Sequence, residues 1–203
     1  MIPYYNIKQK EEIPKMKVLL VNGCVEQTTL KDTVFQVLED RDIDVVCSDL
    51  EHETAGCITC GKCIKKRKCV LDDEVNVNAQ HSDLDGIIVI CHMQYHRVDQ
   101  NVIQWVKRLM YSSCERWNCK PYAVIYVSRQ FGDKEQGELD ALFSRGNMIK
   151  VQDQNGCVVH SKEDLQRVKN IVDRLGWLVS CLEKGKEEIT GTTDAMVLKD
   201  FVR

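Results

Sequence analysis

The 203 residues carry 28 Lys and Arg against 31 Asp and Glu, a formal net charge of -3, and 43% of them are hydrophobic. That is enough chain for one substantial core, and no Pro/Gly/Ser-rich linker divides it into halves that would each fold alone. The balance of charge excludes a global attraction to nucleic acid or to a membrane surface, and no stretch is apolar for long enough to span a bilayer, so neither partner is expected.

The first fifteen residues, MIPYYNIKQKEEIPK, lack the apolar run of a signal peptide and read as an extension, 1–15, before a single domain over 16–184 and a C-terminal tail over 185–203. Several of the 11 cysteines lie inside apolar segments such as VVCSDL and VICHM, which suits a reducing, cytoplasmic setting better than a disulfide framework.

KVLLVN at 17–22 is a nearly continuous apolar run closed by Gly23, the pattern of a strand buried on both faces. Leu30, Val34, Phe35 and Leu38 then recur at helical spacing, with Thr28 or Thr29 as the expected cap. A second strand is expected at 43–47. After the cysteine-rich loop at 55–72 comes a third strand at 86–91. The next helix, over 98–112, has Val98, Val102, Trp105, Val106, Leu109 and Met110 on its apolar face. YAVIYV at 122–127, a helix around 138–143 and a short fifth strand at 148–151 continue the alternation. Ser161 with Asp164 three residues on resembles a capping box opening a helix whose buried face is Leu165, Val168, Val172, Leu175 and Leu182. Beyond it, Met196, Val197, Leu198, Phe201 and Val202 form an apolar patch suited to docking on a sister subunit.

Five strands alternating with helices predict an α/β domain with a doubly wound parallel sheet of order 2-1-3-4-5. In such a sheet ligands sit beyond the carboxyl ends of the strands, so the cysteine loop after strand two should lie beside the ligand crevice.

That loop, CITCGKCIKKRKC, places Cys57, Cys60, Cys63 and Cys69 in thirteen positions. Three thiolates at C-x2-C-x2-C spacing suit three corners of a four-iron cube, and Cys69 supplies the fourth; zinc, which usually takes two separated C-x2-C knuckles, is the alternative. Lys62, Lys65, Lys66, Arg67 and Lys68 surround the thiols. These cations would favour a more negative, reduced cluster and would steer an acidic electron carrier such as a ferredoxin, against the plainer reading of a solvated loop.

Elsewhere, Cys24 and Cys91 end neighbouring strands and are expected close together at the crevice floor, as a redox pair or as small core residues. His92 and His96 are candidate proton donors or plain loop caps, and Trp105 is read as core.

KVLLVNG, AGCITCGKCIKKRKCVLDDE and DLDGIIVI followed by Tyr95 and a helix resemble the iron-sulfur flavoproteins, within the flavodoxin-like NADPH-dependent FMN reductases. The resemblance runs from about residue 16 to residue 152. It implies a [4Fe-4S] cluster on the four cysteines next to noncovalent FMN, electron transfer as the activity, and a homodimer or homotetramer. It places the FMN phosphate at the start of the first helix, contacted by Thr28 and Thr29, and the ring near Met93, Gln94 and Tyr95, with Gly23, Cys24 and Ser128 as further cofactor-binding candidates. The chain departs from the family pattern in its flavin loops. GCVEQTT is short and carries Glu26, CHMQYHRV lacks the glycines and proline, and SRQFGDKEQGE keeps only Gly132 and Gly137. The competing reading is a flavodoxin-like metal-binding sensor or partner-binding protein that has lost its flavin.

Overall fold

The computed structural model describes residues 15–80, 83–130, 137–153 and 157–191. The expected extension up to residue 14, Gly132 and the apolar patch from Met196 to Val202 lie outside the described residues.

The strand β1 (Lys17–Asn22) forms where the sequence is apolar on both faces, and it pairs in parallel with β2 (Asp44–Asp49) on one side and β3 (Gly86–Gln94) on the other. β3 pairs in parallel with β5 (Pro121–Ser128), and the short β6 (Ile149–Lys150) follows, giving the order β2-β1-β3-β5-β6. This is the expected 2-1-3-4-5 order. Its last strand, however, is split: β6 pairs with Pro121 and Tyr122, while β7 (Val158–Val159) pairs with Tyr126 and Val127 further along the same edge. Polar Gln152 and Asp153 interrupt the apolar pattern between the two, so one continuous strand is not sustained.

Alternation along β3 builds two cores. Ile87, Val89, Cys91 and Met93 face the layer made by α3 (Glu74–Gln80), α4 (Gln100–Ser113) and α5 (Glu138–Phe143), while Ile88 and Ile90 face α1 (Thr28–Glu39) and α6 (Leu165–Gly191). Cys24 joins the second core and Cys91 the first, so the two thiols lie against opposite layers rather than together, a correction that follows from the period-two alternation. Trp105 is core, as expected.

The two capping expectations fare differently. α1 starts at Thr28 after Gln27, and no threonine side chain caps it; Thr33 Oγ1 instead donates to Thr29 O. At the other helix the capping exchange is present: Asp164 accepts from the Ser161 N–H and Ser161 Oγ accepts from the Glu163 N–H. A short 3-10 turn at Lys162–Asp164 precedes α6, which runs through Gly191 and so takes in the start of the expected tail. No helix among the described residues is long and apolar enough to cross a membrane.

Candidate functional site

The loop between β2 and α3 carries the four cysteines and folds through a series of left-handed residues. Thr59 (φ 53°) lies between Cys57 and Cys60, Gly61 (φ 67°) between Cys60 and Cys63, and Arg67 (φ 52°) between Cys63 and Cys69. Each lies between successive thiols, and Gly61 and Arg67 flank the short helix α2 (Lys62–Lys66) as its two caps. Left-handed backbone costs a non-glycine residue about 1–2 kcal/mol, so Thr59 and Arg67 carry local strain that Gly61 does not.

All four cysteines of the loop reach one cavity of about 30 Å³, which they line with Ile58, Val70, Leu71, Arg108 and Tyr111 among others. No carboxylate or imidazole lines it. Four thiols without oxygen ligands are a soft donor set, suited to iron-sulfur or zinc and poorly suited to magnesium or calcium. The cavity is about the size of one water, and among the described residues no group of three or more His, Cys, Asp or Glu is arranged around a metal position. Loading would therefore require the loop to open around its thiols. None of the 11 cysteines is in a disulfide.

α4 anchors the loop along one face. Asn101 in its first turn donates to His52 O (2.9 Å) and accepts from Thr54 N–H (2.5 Å). Two turns on, Arg108 is only 1% exposed and donates to Ala55 O, to both carboxylate oxygens of Asp73 and, at 3.5 Å, to Cys69 Sγ. Burial alone would lower the guanidinium pKa, but the bonds to Asp73 and Cys69 outweigh it and hold it above its ordinary value. Neither Asn101 nor Arg108 was expected from the sequence to serve the site. The available signal was Arg108 three residues after Trp105, a cation inside a helix's apolar stripe.

The basic collar is exposed: Lys62, Lys65, Lys66, Arg67 and Lys68 all face solvent, and Arg67 pairs with Glu115 at 2.5 Å. Two apolar side chains of the same loop, Ile58 (60%) and Ile64 (73%), are also exposed.

The expected flavin contacts do not converge. Gly23 lines an open cleft of about 660 Å³ between the loop after β2 and the start of α4, together with Glu51, His52, Glu53, Asp99 and Asn101. An added Cβ at Gly23 would collide with Val102, so only glycine fits where β1 passes α4. Thr29 and Ser128 line a different cavity, about 250 Å³, against α1 and α6, with Gln27, Arg129, His160 and Ser161. Thr28 and Thr29 open α1 and are exposed. Cys24 is fully buried, and burial, then Glu26 and Asp99, push its thiol far above the ordinary range, which makes it a core thiol rather than a reactive one.

β3 is longer than the expected 86–91, and this decides the ring region. It continues to Gln94 and turns back through Tyr95 and His96, both at positive φ, into the antiparallel β4 (Arg97–Val98), the pattern of a type I′ hairpin. Met93 is thereby drawn into the core under α4, Gln94 is exposed, and Tyr95 stands 70% exposed at the hairpin tip. His92 Nε2 lies 2.6 Å from Glu26 Oε1, tying the loop after β1 to the extended strand. Close by, Asp49 accepts from Asn22 (2.7 Å) and Lys31 (2.5 Å). Burial opposes its ionisation, but these bonds hold its carboxyl below the usual range and commit the Lys31 charge.

No family model matches the chain, and no curated protein sequence matches it. Solved structures do. A flavodoxin from the domain Archaea superposes with a TM-score of 0.57 at 12% identity, covering 81% of this chain and 99% of that one. This chain has a flavodoxin-like fold. A flavone reductase (TM-score 0.60, 11% identity, 83% of this chain and 64% of that) and the apo form of an NADH:FMN oxidoreductase (0.57, 9%, 80% and 89%) share it. At these identities the likeness is one of fold.

Proposed function

We propose that the protein is an electron-transfer oxidoreductase that holds a [4Fe-4S] cluster on Cys57, Cys60, Cys63 and Cys69 and noncovalent FMN at the carboxyl edge of its sheet. The observation that carries this reading is that four thiols from one short loop line a single cavity free of oxygen ligands. The flavodoxin-like fold, shared with an NADH:FMN oxidoreductase, supports the flavin. When bound, the cluster exchanges single electrons and the flavin links one-electron to two-electron chemistry. For FMN the fit is divided. The α1 N-terminus, with Thr28 and Thr29, suits a phosphate, and Ser128 and Arg129 line the cavity beside it. The ring end is poorer, because the extended β3 places Met93 in the core.

A second reading, a flavin-free metal-binding sensor or partner-binding protein, is favoured by that hairpin and by Glu26, a carboxylate beside the turn where a phosphate would bind. Strictly anaerobic purification, with flavin extraction and iron, sulfide and zinc analysis, separates the two. Iron and sulfide near four per chain together with saturable FMN binding support the flavoprotein. A loaded cluster without FMN binding, even after flavin reconstitution, gives the lead to the sensor, and stoichiometric zinc without iron sinks the cluster in both.

The collar suits a cytoplasmic acidic electron carrier of the ferredoxin kind, since Lys65, Lys66 and Lys68 are exposed in the loop that carries the thiols, as are apolar Ile58 and Ile64. Exposed charges act mainly on encounter and are screened over about 10 Å at 0.1 M salt. Reversing Lys65, Lys66 and Lys68 to Glu is expected to slow reduction by an acidic carrier, with the difference shrinking as salt rises, and to leave reduction by a small neutral reagent unchanged. If both reductants slow alike at equal metal content, the collar tunes the cluster itself. Sedimentation of the same preparations tests the homodimer or homotetramer.

A further inference from the structure

A guanidinium that is fully withdrawn from water is costly unless its charge and its donors are matched. The two terminal nitrogens of Arg108 are matched by partners that bracket the cysteine loop. Ala55 precedes the first thiol, Cys69 is the last, and Asp73 stands just before α3. The Asp73 fork neutralises the net charge, so what reaches the sulfur is the directed N–H of Arg108 at 3.5 Å. A neutral thiol is a weak acceptor, whereas a thiolate makes a charge-assisted bond of about twice the strength of a neutral one. Nε of Arg108 has no hydrogen-bond partner among the described residues, so this buried side chain is not arranged for its own satisfaction alone.

We infer that Arg108 is a positioning residue for the fourth thiolate: it pins Cys69 at the cavity through the ends of the loop and donates a buried hydrogen bond to its sulfur, raising the reduction potential of the cluster held there. The inference rests on the cluster reading of the four cysteines. Hydrogen bonds to ligand sulfurs favour the more negative, reduced state. Unlike the lysines of the collar, a donor that is 1% exposed is little affected by salt.

The test compares wild type, Arg108→Gln and Arg108→Lys as full-length protein. In metal-free protein, amide exchange over residues 55–73 is expected to quicken about tenfold in Arg108→Gln, with Arg108→Lys between the two. Unchanged exchange overturns the pinning. In anaerobically loaded protein, compared at equal iron content, Arg108→Gln is expected to favour the oxidised cluster about tenfold, or about 59 mV more negative for one electron, independent of salt. An unchanged midpoint overturns the hydrogen bond to the sulfur. If Arg108→Gln does not fold, Arg108→Lys is read by the same two criteria. Wild-type protein that takes zinc and no iron defeats the cluster reading and the potential claim with it, while the exchange arm still decides the pinning.

Discussion

On the proposed cluster reading, Cys57→Ala, Cys60→Ala, Cys63→Ala and Cys69→Ala are each expected to lose most of the iron and sulfide that the wild-type protein would retain after anaerobic reconstitution. A cube with three thiolates exposes a corner to water and oxygen, and the charge balance that holds it depends on all four ligands. Exposed Cys119 and Cys181, which line no part of the thiol cavity, serve as controls, and their alanine variants should load normally. Iron and sulfide analysis with visible and EPR spectra, before and after brief exposure to air, reads the result. The four positions need not behave alike. Cys60 is the exposed thiol of the set, whereas Cys69 bonds to Arg108, so Cys69→Ala also leaves a buried donor without its acceptor and should destabilise the metal-free loop more than Cys60→Ala. Full cluster content in Cys69→Ala would remove that residue from the ligand set.

Trp105→Ala is expected to lower stability by about 3–5 kcal/mol, the usual range for truncating a buried aromatic side chain. For a domain of this size that is roughly 6–20 °C of melting temperature. Trp105 is 1% exposed in the middle of α4 and packs in the core with Val102, Val106 and Leu109. Its indole N–H has no partner among the described residues. Trp105→Phe keeps most of the apolar contact and deletes that unsatisfied donor, so it should cost much less, on the order of 1 kcal/mol. Thermal and urea unfolding of the two variants check the pair, and an equal loss for both would mean that the indole N–H is satisfied in solution. Because α4 also carries Asn101 and Arg108, Trp105→Ala should speed amide exchange in the cysteine loop as well as in the core.

The sequence by itself determined the alternation of strands and helices, because burial of both sheet faces writes continuous apolar runs at β1, β3 and β5 and a helical period between them. It also singled out the four cysteines that line one cavity, since the Cys57 to Cys69 spacing is local and needs no long-range contact to be read. What it left open depends on partners far along the chain. β3 outlasts its apolar run because β5 pairs with it as far as Ser128 and β4 folds back on it, and neither pairing is written within CHMQ. That extension draws Met93 under α4 and lifts Tyr95 into solvent. The separation of Cys24 from Cys91 likewise follows from which layer each joins, which adjacency of strand ends does not specify. Arg108 is the sharpest case: a cation in an apolar stripe looks like a defect until the fold places Asp73, Ala55 and Cys69 around it, thirty or more residues back in the chain. Only tertiary structure decides such a residue, because a buried charge takes its meaning from groups that local sequence does not bring near it.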